Sequence, residues 1–393
     1  MKKKLWLLLA ASSMLLAACT SGGGGTSSTD EKKSKEASGD TIKIGLNYEL
    51  SGAVSAYALQ QKDAIEMAVK EINDDGGILG KQVELVSKDN KSETAEAASV
   101  AGSLAENDEI VAVFGPATSG AFKASIPQMM KAGIPAISPS ATDDEVTVTD
   151  GKLKEFIFRT CFQDSFQGVI LANYAENNLG AKKAVIIGDN SSDYGKGLTK
   201  AFKETYKGEI VLEENFAAKE KDFKAMLTKI KGKDFDVIYL PGYYEEAGLV
   251  IKQAREMGID QPVLGADGFS DPKLVELAGA SNMNDIYYTS HFSENAPAND
   301  KVPEFVENFK AKYKTSPSSF NALAYDTMYL LKDAIERADS TDRTKVKDAI
   351  AETKDFVGVT GTMSIDENHN PQKPAVVIGL QEGKEESSEI VEP

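Results

Sequence analysis

Ile110-Val111-Ala112-Val113-Phe114-Gly115-Pro116-Ala117-Thr118-Ser119-Gly120 decides how this chain is read. Five apolar residues in a row, four of them β-branched or aromatic, describe a strand buried on both faces. The run breaks into small and hydroxylic residues, and a helical pattern follows to Lys131. Strand, small-residue loop and helix is the unit of a parallel sheet, and ligands of such sheets bind beyond the strand C-termini.

The same rhythm extends in both directions. Upstream, Ile42–Leu46 alternates as a strand, and Tyr57–Asn73 carries apolar residues at helical spacing until Asp74-Asp75-Gly76-Gly77 stops it. A second strand at Val83–Val86 and a helix at Glu93–Ala105 precede the decisive stretch. Downstream, Ile134–Ser138 runs into Pro139-Ser140-Ala141-Thr142. The pattern then restarts: a helix at Phe166–Leu179, a strand at Lys183–Gly188 ending in Asp189–Gly195, and a helix to Tyr206. A helix at Asp222–Ile230, a strand at Phe235–Leu240, a helix from Pro241 to Met257 and a strand at Pro262–Leu264 complete it. Helices at 301–313, 319–337 and 343–353 and short strands near 357–364 and 375–380 follow. The fold class is α/β, with two parallel sheets flanked by helices and right-handed crossovers.

Composition narrows the function. The chain has 393 residues, 44 Lys and Arg against 61 Asp and Glu, and a net charge of −17. Such a surface does not suit nucleic acid or a polybasic membrane contact. Two cysteines and two distant histidines, His291 and His369, make a zinc site improbable. No loop carries G-x-G-x-x-G or a phosphate cradle, so no cofactor is expected. A hydrolase fails on inventory, having no G-x-S-x-G and no Cys–His pairing. The paired carboxylates Asp143-Asp144 and Glu245-Glu246 read as solvated. Cys161 reads as a small buried hydrophobe.

The N-terminus sets an address. Lys2-Lys3-Lys4 precede an apolar run from Leu5 to Ala18, too short to span a bilayer and typical of a secretory signal. Leu16-Ala17-Ala18-Cys19 resembles the lipobox of bacterial lipoproteins. The resemblance implies cleavage after residue 18, lipidation of Cys19 and anchoring at the outer face of the cytoplasmic membrane. Residues 19–40 then form a Gly- and Ser-rich tether with a reach of about 25 Å.

Several segments together resemble the type I periplasmic-binding-protein superfamily, and within it the substrate-binding proteins of branched-chain amino acid ABC transporters. They are Ile42–Gly45 with Leu50-Ser51-Gly52, Asn73–Lys81, Gly115–Ser119, Ser138–Thr142, Asp193–Gly197, Gly242-Tyr243 and Phe356–Gly361. The resemblance covers about Thr41 to Leu380. It implies two Rossmann-like lobes, 41–161 plus 290–371 and 162–289 plus 372–393, joined by a three-segment hinge with the ligand cleft between them. It also implies a monomer whose partners are a free aliphatic amino acid and the permease subunits in the membrane.

In that setting Ser119, Ser140, Ala141 and Thr142 would hold the ligand carboxylate. Asp267 would hold its ammonium, at a position where some relatives have Glu. Tyr57, Tyr194 and Tyr243 would cover it, with Phe320 a weaker candidate for the side-chain pocket. Ser119 and Thr142 also fit plain helix caps, Asp267-Gly268 a turn, and the tyrosines packing. A sensor of the same fold, acting on a signalling partner, is the alternative function, because fold alone does not choose between transport and sensing. A purely structural surface lipoprotein would not need polar groups gathered at strand ends.

Overall fold

A computed structural model describes residues 40–391. The signal segment, Cys19 and nearly all of the tether lie outside the described residues, as do 392–393.

The first sheet is built from β1 (Thr41–Tyr48), β2 (Gln82–Asp89), β3 (Ile110–Phe114), β4 (Ala136–Ser138) and, after the short hairpin β5 (Val148–Thr149) and β6 (Lys152–Leu153), β7 (Ile157–Arg159). Its order is β2-β1-β3-β4-β7, with every pairing parallel. All five residues of β3 are buried, as its continuous apolar sequence requires. Helices α1 (Ser55–Asp74), α2 (Thr94–Ala105) and α3 (Ser119–Ala132) supply the crossovers.

The second sheet starts after α4 (Asp164–Asn177). It runs β8 (Lys183–Asp189), α5 (Asp193–Thr205), β9 (Glu209–Phe216), α6 (Lys224–Ile230), β10 (Val237–Tyr239), α7 (Tyr244–Glu256) and β11 (Val263–Gly265). A 3-10 turn at Asp267–Phe269, helix α8 (Pro272–Ala278) and β12 (Ile286–Ser290) follow. The chain then makes α9 (Lys301–Tyr313), α10 (Ser319–Ala338) and α11 (Arg343–Ala351), and a small antiparallel sheet of β13 (Phe356–Gly358), β14 (Gly361–Ile365) and β15 (Pro371–Gln372). It closes with β16 (Ala375–Gln381) and β17 (Lys384–Val391), which extend the second sheet to β17-β16-β12-β11-β10-β8-β9. The five strands β8 to β12 are parallel, whereas β16 and β17 pair antiparallel at the edge.

Helix α10 lies along α1 on the first sheet's side of the molecule. A Ser318–Asn321 capping box starts it, Asn321 Nδ2 donates to Gln60 O at 2.7 Å, and the Tyr325 and Tyr329 hydroxyls both donate to Glu71 Oε2. The chain therefore passes between the sheets three times: between Arg159 and Asp164, after Ser290, and between Gln372 and Ala375.

Both sheets reverse their order of addition at one place. In the first, β2 and β3 flank β1; in the second, β9 and β10 flank β8. Such switch points open a crevice at the strand C-termini, where loops can gather polar groups without breaking the sheet. The loops after β1, β3 and β4 meet those after β8, β10 and β11 there.

Arg159 fixes one of these loops. It is fully buried, and its guanidinium donates to Asn370 Oδ1 at 2.7 Å and to the carbonyls of Ala141 and Asp143 at 3.2 and 2.8 Å. Truncating it takes a donor from the buried Ala141 carbonyl, while Asn370 Oδ1 keeps the Thr147 hydroxyl and Asp143 O keeps the Val146 amide. Arg159→Ala is expected to lower unfolding stability by about 3 kcal/mol. Denaturant titration measures this, and a loss below about 1 kcal/mol would show that the loop does not depend on the anchor.

Candidate functional site

Three loops of the first sheet are sewn together from below. Glu49, fully buried after β1, accepts hydrogen bonds from the Ala117 and Thr118 amides at 3.0 and 3.1 Å and from the Thr118 hydroxyl at 2.8 Å. Burial pushes its carboxyl up, and these donors pull it back. Ser138 Oγ donates to Pro116 O at 2.6 Å and accepts from the Ser140 and Ala141 amides. Ser140 Oγ donates to Ala117 O at 2.7 Å and accepts from Gln61 Nε2 at 2.6 Å. Ser119 Oγ, at the first position of α3, accepts from Asp143 N at 3.1 Å. Gly115 lets the loop leave β3: its φ is +78°, and a Cβ there would lie 2.6 Å from Asn47 O.

The second sheet contributes an acid and two aromatic rings. Tyr194 Oη donates to Asp267 Oδ1 at 2.7 Å and accepts from Gly268 N at 2.9 Å. Gln167 Oε1, from α4, accepts from Asp267 N at 2.9 Å and from Thr289 Oγ1 at 2.7 Å. Tyr194 and Tyr243 stack with centroids 4.9 Å apart and planes 6° off parallel. From the first sheet's side, Tyr57 reaches across. Its hydroxyl donates to Gly268 O at 2.8 Å and accepts from Tyr244 N at 3.0 Å, and its ring touches Tyr243 and Phe320. Burial pushes the Tyr57, Tyr194 and Tyr243 phenols well up, so all three remain neutral hydroxyls. Gly268 is required where the hydroxyls converge, since a Cβ would lie 2.9 Å from Tyr194 Oη and 3.1 Å from Tyr57 Oη.

These groups line a tightly closed cavity of about 10 Å³. Ala117, Thr118, Ser119 and Ser140 line one side, Asp267 and Gly268 the other, and Tyr57, Tyr194, Tyr243 and Phe320 form aromatic walls. The sequence-predicted residues Tyr57, Ser119, Ser140, Tyr194, Tyr243 and Asp267 all meet here, and so does Phe320. Ala141 and Thr142 are fully buried but are not among the lining residues. The Ala141 amide is turned to Ser138, and the Thr142 hydroxyl lies by the Asp164 carboxyl, whose charged form it favours against burial. Glu49, Gln61 and Gln167 support the cavity from behind. No local pattern marks them in the sequence, because each acts through a tertiary contact.

Two other expectations resolve differently. Asp143 and Glu246 are buried, not solvated. Asp143 Oδ1 meets Lys123 Nζ at 3.2 Å, and Glu246 Oε1 accepts from Lys219 N at 2.6 Å. Cys161 is buried, and desolvation pushes its thiol up to about 12, which removes it as a nucleophile at neutral pH.

The rim of the cavity is bridged. Lys123 Nζ on α3 lies 3.1 Å from Asp193 Oδ2 on α5. Gln60 Nε2 donates to Asp271 Oδ2 at 2.6 Å, Tyr244 Oη to Ala53 O at 2.9 Å, and Lys219 Nζ lies 3.3 Å from Glu93 Oε1. The loops of the two sheets are thus in direct contact around an enclosed space with hydroxyls on one wall and a carboxylate on the other.

Comparison with known proteins points the same way. The chain is 31% identical over 341 residues to Leu/Ile/Val-binding protein homolog 3 of Brucella melitensis, covering 86% of this chain and 90% of that one. It is 29% identical over 337 residues to the leucine-, isoleucine-, valine-, threonine- and alanine-binding protein of Pseudomonas aeruginosa, covering 85% and 88%. Its fold superposes with a TM-score of 0.86 on the branched-chain amino acid transporter substrate-binding protein LivJ of Streptococcus pneumoniae, solved with isoleucine. That match has 50% sequence identity and covers 90% of this chain and 100% of that one. Residues 41–385 match the periplasmic binding protein family, and the chain belongs to that family.

Proposed function

We propose that this chain is the extracytoplasmic substrate-binding component of an ABC importer, closing two lobes over a free aliphatic amino acid, with the branched-chain acids foremost. One observation carries the reading: a buried cavity holds hydroxyls at a helix start on one wall, a carboxylate on the opposite wall and aromatic rings between. A zwitterion needs both walls, because each of its charges is costly to bury without a partner. Ser119 and Thr118, at the start of α3, suit the ligand carboxylate, where the helix dipole and amide hydrogens favour an anion. Asp267 suits the ammonium. Tyr57, Tyr243 and Phe320 offer apolar faces to an aliphatic side chain, and an aromatic face also tolerates an ammonium.

The lobes of this proposal are residues 41–161 with 290–371 and residues 162–289 with 372–393. The ligand favours the closed form because it touches both, a population shift driven by differential affinity. The closed monomer is the form offered to the permease. The chain is held at the outer face of the cytoplasmic membrane by a lipid on Cys19, with residues 20–40 as tether.

The ligand assignment is tested by thermal melting against the twenty amino acids, on protein unfolded and refolded to strip carried-over ligand. A ligand at 100 times its Kd stabilises by about 2.7 kcal/mol. Leucine, isoleucine or valine is expected to give such a shift, and Asp267→Asn to raise Kd by about 100-fold through loss of the buried charge pair. No shift with any amino acid would defeat the assignment. Lys123→Gln is expected to weaken binding only about threefold, seen as faster release in stopped-flow, because the rim pair is partly exposed. The anchor is tested separately: Cys19→Ser is expected to move the protein from the membrane fraction to the soluble fraction. Retention with the membrane would show that the lipid is not what holds it.

A further inference from the structure

His291 lies just past the end of β12, where the chain leaves the second sheet. Its side chain is fully buried, and neither ring nitrogen has a hydrogen-bond partner among the described residues. A buried imidazole with both nitrogens unpaired is costly, and a native fold seldom tolerates it without a use. The ring is held in place from two directions. Phe162, on the first crossing segment, stacks on it at a centroid distance of 3.5 Å, and the His291 amide donates to Ser319 Oγ at 3.1 Å. So fixed, Nε2 lies 3.7 Å from Asp267 Oδ2, about half an ångström beyond hydrogen-bond reach.

Asp267 is otherwise pinned. Its amide is held by Gln167, and its Oδ1 accepts from Tyr194. Oδ2 is the oxygen left to be oriented. Burial pushes the imidazole down to about 4, with the Lys373 charge adding to the shift, so at neutral pH it is an uncharged donor. That matters at this position. A lysine or arginine would neutralise the carboxylate and repel an ammonium group, whereas a neutral N–H orients the carboxylate and leaves its charge for the ligand.

We propose that His291 is a positioning residue for ligand recognition, its Nε2–H donating to Asp267 Oδ2 in the liganded state and holding that carboxylate toward the ammonium of a bound amino acid. The inference rests on the amino-acid reading of the cavity. It assigns a task to a residue outside the cavity wall and gives its unpaired Nε2 a partner.

The test uses the whole protein, with leucine as probe. Histidine-selective 15N-labelled protein has two reporters, His291 and His369. Leucine is expected to move the His291 Nε2–H resonance downfield, as a new hydrogen bond to a carboxylate does, and to leave His369 unmoved. His291→Phe, which keeps the stack on Phe162 and removes the donor, is expected to raise the leucine Kd by about 10- to 100-fold. His291→Gln, which retains a side-chain N–H, should recover most of that loss. An unmoved His291 resonance, or equal affinity losses in the Phe and Gln variants, would overturn the positioning role. If the Phe variant does not fold, the wild-type resonance alone decides. Failure of the wild type to bind any amino acid would instead overturn the reading of the cavity, and this inference with it.

Discussion

A carboxyl group nearly sealed from water governs this site. Asp267 is 3% exposed and receives one short hydroxyl bond, from Tyr194. Isolated, a charge there would be expelled or neutralised. A second acid in the same layer, Asp164, shows the alternative. It is fully buried, accepts one long bond from Gln167 at 3.3 Å, and burial pushes its carboxyl well up, toward the neutral form. The two buried carboxylates differ in placement: Asp267 lines the cavity and Asp164 does not. The glycine at 268, the stacked tyrosines and the Gln167 amide all serve that arrangement.

Closure follows from the same balance. The contacts that bridge the rim are mostly partly exposed: Lys123 with Asp193, Lys219 with Glu93, Gln60 with Asp271. Pairs of that kind contribute little each, about 0–1 kcal/mol. They can shape the closed state but do not overwhelm the open one. A ligand whose two charges are satisfied only when both walls are present contributes far more, so the equilibrium is left for the ligand to decide. A deeply buried bridge, Tyr57 to Gly268 and Tyr244, runs through a hydroxyl that must be rehydrated on opening, and it sits beside the cavity.

The sequence showed the architecture well where both sheet faces are covered. Ile110–Phe114 and Lys183–Gly188 are nearly continuous apolar runs, and they are strands β3 and β8. It showed less at the margins. β17, Lys384-Glu385-Glu386-Ser387-Ser388-Glu389-Ile390-Val391, reads as a charged tail because an edge strand keeps much of its surface in water. β9 escaped for the same reason, and β7 and β12 because three to five residues carry little periodicity. The site followed a similar division. Residues in loops directly after strands, such as Ser119, Tyr194, Tyr243 and Asp267, were legible because strand C-termini are where ligands bind. Glu49, Gln167 and His291 were not, since the partners of the first two lie 68 to 122 residues away and His291 stacks on another crossing segment.

The crossing segments show where the chain can bend. Arg159 and Thr160 are tied to the first sheet's side, the latter through Ser138 O at 3.2 Å and the Thr327 hydroxyl at 2.7 Å. Asp164 N bonds back to Thr142 O at 2.9 Å. In the third crossing, the buried Lys373 amine donates to Thr360 Oγ1, and Thr360 donates through its amide and hydroxyl to Asp326 on α10. Burial pushes that amine down to about 8, with Asp326 opposing the shift. The third crossing is therefore fixed to α10 up to residue 373, and freedom begins at Pro374. The second is fastened by its His291 amide to Ser319 at the start of α10. A rotation of one lobe on the other must be absorbed in the few residues between these anchors. It also pulls on the segment that carries His291, so the ring that faces Asp267 is mechanically part of the hinge. The second crossing thus carries both the fastening to α10 and the ring that faces Asp267.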